Sequence, residues 1–282
     1  MLRKLIALDI DGTLVGPTNR VSPRTIEAVQ RLSQLGATFT IATGRRLRAT
    51  LPIARELGIS APIILFNGSL VVDPQSLETL YQETLPHSLA TRSIEIIHQE
   101  AETAFAYHQS LSPPDVFYQR ASELPFIKAY IERGEAEGGY IRRVPDLINA
   151  CASLSIIRIL SWGQGEDILR VAERLRTQLV DEALVLADDY RDTVLVEVYP
   201  RGVSKGKAIA QLAASFGIDQ ADVIAIGDGI NDVEMLEYAG LGVAMGNACP
   251  EAKQVANRVT ARQEEDGVAL FLEELLKGVA AS

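Results

Sequence analysis

Four short apolar runs, each ending in a polar cluster at its carboxyl side, constrain this chain more than anything else in it. Asp9 and Asp11 follow LIAL, Thr43-Gly44-Arg45 follow FTIA, Asn67-Gly68 follow IILF, and Asp228 follows VIAIG. Helical patterns fall between the runs. Residues 22 to 35 carry Ser22 at an N-cap position, Pro23 at the first helical position and Gly36 just past the end. A second helical pattern covers 46 to 57 and stops before Gly58. Short buried strands alternating with helices predict an α/β fold, a parallel sheet covered by helices on both faces. The carboxyl ends of such strands share one edge, and ligands bind in the crevice beyond it. Residues distant in sequence are therefore expected to meet around one small object.

The same alternation returns late in the chain. SKGKAIAQLAASFG reads as a helix with Ser204 at its N-cap, DVIAIGD as a strand, NDVEMLEYAG as a short helix, LGVAM as a strand, and 265 to 277 as a closing helix. The middle is built differently. Helical patterns at 86–101 and 166–180 are each followed by two strand-like stretches, TAFAYHQ and DVFYQR, then ALVLADD and TVLVEVYP. A further helical stretch at 123–135 and the strand SLSIIRILSW lie between. This weak internal repeat predicts an α+β unit inserted at 83–195, with 1–82 and 196–282 folding together as a core.

The strand-end clusters suit phosphate and magnesium chemistry. Magnesium takes oxygen ligands, one or two of them carboxylates, and keeps room for substrate phosphate oxygens. Asp9 and Asp228 are the expected carboxylates, and Asp232, one helical turn on, would hold a metal-bound water or a nearby lysine. A bound cation would offset the repulsion between the carboxylates. With Gly12 bending the chain, Asp9 and Asp11 divide the work: one attacks phosphorus, the other moves protons. Thr43 offers a hydroxyl, Gly44 an unobstructed backbone N–H, and Lys205 a positive charge, the parts phosphoryl transfer needs. Arg45, also at a strand end, is expected to contact the substrate. Lys207 competes with Lys205, and Asn67-Gly68 reads equally as a hairpin turn.

"DIDGTL", "TGR", the lysine of "GVSKGKA" and "GDGIND", in this order, resemble the haloacid dehalogenase superfamily of phosphatases. The Cof-type branch is the nearest, with "NGSLVVD", "EMLEYAGLGVAMGNA" and "EDGVALFLEELL" in support. The resemblance covers both halves of the core and is looser in the middle. It implies a Rossmann-like core with a type C2 cap, which sets substrate specificity, inserted between the second and third motifs. It also implies site roles. Asp9 would be the nucleophile and a magnesium ligand. Asp11 would be the acid/base, its backbone carbonyl on the metal. Thr43 and Lys205 would bind phosphate, and Asp228 would be the third protein ligand. Asn231 and Asp232 would bind phosphate and support the metal.

Composition excludes several other readings. With 27 basic against 37 acidic residues the net charge is −10, which argues against nucleic-acid or anionic-membrane partners. No apolar run approaches the roughly 20 residues of a membrane span. The basic start leads into a short run ended by Asp9, not into a cleavage site. A cytoplasmic protein with two reduced, buried thiols, Cys151 and Cys249, is the expectation. His87, His98 and His108 have no metal-ligand company, against histidine-phosphatase and zinc mechanisms. Tyr107, Trp162, Arg142, Arg143 and Arg191 are pocket candidates in the inserted unit, each with an ordinary packing or surface role as the simpler alternative. The leading expectation is a magnesium-dependent phosphatase of a small phosphorylated metabolite, working through an aspartyl-phosphate. A sugar phosphomutase and a non-catalytic phospho-metabolite binder are the rivals. The sequence leaves the oligomeric state open.

Overall fold

The computed structural model describes residues 2–100, 102–108, 113–136, 138–190 and 193–281. The chain divides into two compact units, Met1–Gln82 with Ser204–Ser282, and Glu83–Val203.

The first unit opens with β1 (Leu5–Leu8), α1 (Pro23–Gln34), β2 (Thr38–Ile41), α2 (Leu47–Leu57), β3 (Ile63–Leu65), β4 (Leu70–Val72) and β5 (Thr79–Gln82). The helix punctuation works as its chemistry predicts. The Ser22 side chain accepts from the Thr25 amide at the start of α1, and Gly58 closes α2 in the left-handed conformation. One element differs from expectation. IILF meets the parallel sheet through an isolated parallel bridge from Ala42 to Ile64, and the Phe66 amide donates to the Arg45 carbonyl. Its ladder is antiparallel with β4, across a hairpin turned by Phe66–Ser69. Asn67 sits there at φ 55°, in the region asparagine tolerates better than most residues.

The second unit contains α3 (His87–Gln99), β6 (Ala104–His108), β7 (Val116–Tyr118), α4 (Pro125–Ala136), β8 (Ile141–Arg143), α5 (Leu147–Cys151), β9 (Ile156–Gly163), α6 (Gly165–Gln178), β10 (Ala183–Tyr190) and β11 (Thr193–Pro200). Its six strands run β10-β11-β9-β6-β7-β8, antiparallel except for β7 with β8. The repeat is visible: α3 precedes the antiparallel pair β6–β7, and α6 precedes β10–β11. Ala104, Ala106, Ile159, Val196 and Val198 form one core with Leu89, Ile94 and Ile97 of α3 and Ile168, Val171 and Leu175 of α6. The residues that alternate with these strand positions carry a buried Arg158–Glu197 ion pair. The Arg158 guanidinium lies 4.1 Å from the Tyr107 ring centroid, and its Nη1 donates to the Tyr199 hydroxyl. Strand β11 pairs with β9 and β10 along its length, so this unit runs on to Val203, beyond the boundary expected at 195.

The chain returns to the first unit with α7 (Lys205–Ser215), β12 (Val223–Gly227), α8 (Val233–Tyr238), β13 (Leu241–Ala244), α9 (Pro250–Val255), β14 (Arg258–Val259) and α10 (Gly267–Ala281). The five-stranded sheet has the order β14-β13-β12-β1-β2, all parallel. From β1 the chain steps outward one way to β2, and from β12 the other way to β13 and β14. The reversal lies between β1 and β12, the switch point where α/β sheets open a crevice. Leu8 pairs with Ile226, and the Asp9 amide donates to the Ile226 carbonyl. Asp9 and Asp228 therefore leave adjacent strands at that point.

The two thiols are free, Cys151 buried and Cys249 half-buried rather than sealed as expected. Burial, with the Asp146 charge behind it, pushes the Cys151 thiol up to about 12. No helix among the described residues is long and apolar enough to cross a membrane.

Candidate active site

The wholly buried strands β1 and β12 carry their next residues to one edge of the sheet. Carboxylate oxygens of Asp9, Asp228 and Asp232 lie there within 4.8 Å of one another. Lys205, the first residue of α7, points its ammonium among them. It donates to Asp9 Oδ1 and to Asp232 Oδ1, each at 2.6 Å, and is itself 1% exposed. Two features let α7 bring it in. Ser204 caps the helix by accepting from the Lys207 amide, and Gly206 lets the helix approach α8. A Cβ on Gly206 would fall 2.6 Å from the Glu234 carbonyl oxygen. Lys207 lies on the exposed side of the same turn, so burial decides between the two lysines.

Asp232 is fully engaged. Its Oδ1 takes the lysine, and its Oδ2 accepts from the Asp228 and Gly229 amides at 2.8 and 2.9 Å. It therefore shapes the loop that presents Asp228. Asp228 is held by the Thr13 hydroxyl, 2.7 Å from Oδ1, and by the Asn247 amide, 3.3 Å from Oδ2. Gly12, at φ 80°, makes this approach possible: a Cβ there would fall 2.2 Å from Asp228 Oδ2.

Burial, with the crowding of like charges behind it, shows in the protonation. Burial, then the Asp232 charge, lifts the Asp9 carboxyl well above the usual carboxylate range, and Lys205 opposes this. Burial likewise pushes Asp228 up to about 6, against the Thr13 hydrogen bond. Burial alone would drive the Lys205 ammonium down, but Asp232 and Asp9 hold it above its ordinary value. Three carboxylates thus cluster about one ammonium that bonds to two of them, and the negative charge left over when all are ionised matches one divalent cation. The donors are all oxygen, which suits a hard cation. These three acidic residues are a group that could hold a metal ion.

The remaining sequence candidates flank this cluster. Thr43 is buried, and its hydroxyl oxygen accepts from the Arg45 amide at 3.2 Å. Gly44 packs where a Cβ would lie 3.2 Å from Asn67 Oδ1. Asn67 Oδ1 in turn accepts from Asn231 Nδ2 at 2.9 Å, which ties the β3–β4 hairpin to the Asp228 loop. The Asp11 carboxylate is not part of the acidic cluster. It makes a two-pronged ion pair with Arg45, at 2.6 and 2.7 Å, with the Asp11 side chain 63% exposed.

A family model for haloacid dehalogenase-like hydrolases matches residues 6–272. The chain belongs to the haloacid dehalogenase-like hydrolases. Over 96% of both chains this hydrolase is 31% identical to the 5-amino-6-(5-phospho-D-ribitylamino)uracil phosphatase YitU of Bacillus subtilis. It is 29% identical to the HMP-PP phosphatase of Serratia proteamaculans, over 97% of this chain and 96% of that one. The crystal structure of a haloacid dehalogenase-like hydrolase from Bacteroides thetaiotaomicron superposes with a TM-score of 0.81 at 29% identity, covering 96% of this chain and 99% of that one. The Rossmann-like core with an inserted α+β unit is the fold of this family, and the hydrolase is an enzyme of the phosphatase kind.

Three polar residues of the site carry no assignment in the sequence reading: Thr13, Asn67 for its link to Asn231, and Asn247. Asn247 lies in the loop after β13, separated from the strand by Met245 and Gly246, so the strand-end rule reaches it only when extended along that loop. Among the candidates of the second unit, Tyr107 bonds to Tyr130 through their hydroxyls at 2.6 Å, and Trp162 Nε1 donates to Thr193. Arg142 and Arg143 are exposed on β8, and Arg191 lies outside the described residues.

Proposed function

We propose that this hydrolase is a magnesium-dependent phosphatase of small phosphorylated metabolites that works through an aspartyl-phosphate on Asp9. One observation carries the reading: three clustered carboxylates have a single buried ammonium between them, a deficit of positive charge that a divalent cation would complete. Asp9 and Asp228 would hold the ion through their carboxylates and Asp11 through its backbone carbonyl, with Asp232 supporting from behind. Bound magnesium would supply charge neutralisation for the acidic cluster and the phosphate oxygens.

This chain's residues account for the rest. Lys205, the Thr43 hydroxyl, the Gly44 amide, Arg45 and the Asn231 amide bind phosphate oxygens and orient phosphorus toward Asp9. An Asp9 oxygen attacks phosphorus as the bond to the leaving oxygen breaks, and Asp11 gives that oxygen a proton. Asp11 then takes a proton from water as the water attacks phosphorus. The acyl-phosphate bond breaks, and Asp9 and inorganic phosphate are released. Asp11 must first leave Arg45 and take from solvent the proton that it gives to the leaving oxygen.

The residues 83–203 would form the cap that selects substrate. The named activities of YitU and the Serratia enzyme support a small phosphorylated metabolite rather than a phosphoprotein or a nucleic acid. The test is a screen of phosphorylated metabolites with magnesium, using Asp9→Asn as the inert control. Phosphate release that needs magnesium and Asp9 supports the reading. Equal turnover in Asp9→Asn overturns it.

A further inference from the structure

Asp228 is held differently from Asp9 and Asp232. The Lys205 ammonium is committed to Asp9 and Asp232. Asp228 is fixed by two neutral donors, the Thr13 hydroxyl on Oδ1 and the Asn247 amide on Oδ2. Neutral donors orient a carboxylate without supplying the positive charge that a cation would bring.

Asn247 does more than touch Asp228. Its Nδ2 also donates to the Gly12 carbonyl at 2.8 Å, and its Oδ1 accepts from the Gln263 amide at 2.8 Å. The Gln263 contact fixes which way the amide faces. Turned over, its oxygen would meet two acceptors and its nitrogen a donor. One side chain thus spans the loop after β1, the loop after β12 and the turn before α10.

We propose that Asn247 is a positioning residue for the cation site, an uncharged strut that sets the spacing between the Asp9–Thr13 loop and the Asp228 carboxylate. The proposal rests on the reading of Asp9 and Asp228 as magnesium ligands. The apposition it maintains is close, since a Cβ on Gly12 would collide with Asp228 Oδ2. Removing the strut frees the Gly12 carbonyl and one Asp228 oxygen together, so the two ligand-bearing loops lose their common tie.

The test is calorimetric titration of magnesium chloride into the full-length protein without substrate, for wild type, Asn247→Ala, Asn247→Ser and Asp228→Asn. Partners that orient metal ligands typically contribute 10- to 100-fold in affinity. Asn247→Ala and Asn247→Ser are expected to weaken magnesium binding by about tenfold or more while keeping the wild-type circular dichroism. Raising magnesium should then restore most of the turnover number. Wild-type magnesium affinity in either folded variant overturns the proposal, as does failure of both to fold, which would assign Asn247 to the framework alone. Asp228→Asn separates the two levels. If it loses magnesium while Asn247→Ala keeps it, only the strut fails. If it too binds magnesium as wild type does, the metal assignment falls and the strut with it.

Discussion

The Lys205 ammonium donates to Asp9 Oδ1 across 2.6 Å, with both side chains sealed from solvent. The two residues are 196 positions apart in the chain. Their meeting joins the start of the first unit to the point where the chain re-enters it. Burial makes the contact consequential, because an ion pair out of water is costly to break from one side.

Replacing Lys205 by Met should therefore do two things. It leaves Asp9 and Asp232 facing each other without a counter-charge, which costs about 3–5 kcal/mol of stability. It also removes a phosphate-binding charge. Urea unfolding of Lys205→Met should show a midpoint well below wild type, and phosphatase activity should fall by at least two orders of magnitude. A variant as stable as wild type would contradict the buried pairing.

Asp228 links pH to the cation. Its folded pKa of about 6 lies above the ordinary carboxylate value of 3.8. In the metal-free protein its contribution to stability is therefore full below 3.8 and lost as pH rises through about 6, a term of about 3 kcal/mol at most. Magnesium competes with the same proton, so its affinity should weaken as pH falls below about 6. Titrations at pH 5 and 7.5 in two buffers of different ionisation enthalpy would measure the affinity change and the proton released. Asp228→Asn should stabilise the metal-free protein by about 1–2 kcal/mol at pH 7.5 and lose magnesium binding.

Much of this was legible in the chain before folding, for a definite reason. A strand buried on both faces of a parallel sheet can present polar groups only at its end, so LIAL, FTIA and VIAIG announced Asp9, Thr43 and Asp228. Helix punctuation was equally readable at Ser22, Gly58 and Ser204, because capping is local. Pairing was less so. IILF has the composition of a central parallel strand, yet its neighbour is set by the turn at Phe66–Ser69. Lys205 and Lys207 differ only in which side of a helical turn meets α8. The Arg158–Glu197–Tyr199 cluster depends on the register of β9 against β11, which no local pattern encodes.

His98 gives the second unit a pH response of its own. It lies in the last turn of α3, with its Nε2 buried and without a hydrogen-bond partner among the described residues. Burial, then the Arg120 charge, lowers its pKa to about 4. The folded protein keeps His98 neutral where the unfolded chain takes up a proton. Stability from this group is present above pH 6.5 and lost as pH falls toward 4. NMR titration should place the His98 midpoint near 4, and His98→Leu should flatten the acid side of the stability curve between pH 6.5 and 4. A midpoint near 6.5 would contradict the burial.

The nucleophile assignment is tested most directly by trapping the intermediate. The protein would be mixed with magnesium and a turned-over phosphomonoester, quenched in acid within the first turnover, digested, and read by mass spectrometry. A phosphoryl group on the peptide carrying Asp9, absent without magnesium and absent in Asp9→Asn, is the predicted result. Active turnover with that peptide unmodified, or with the label on another residue, would contradict it.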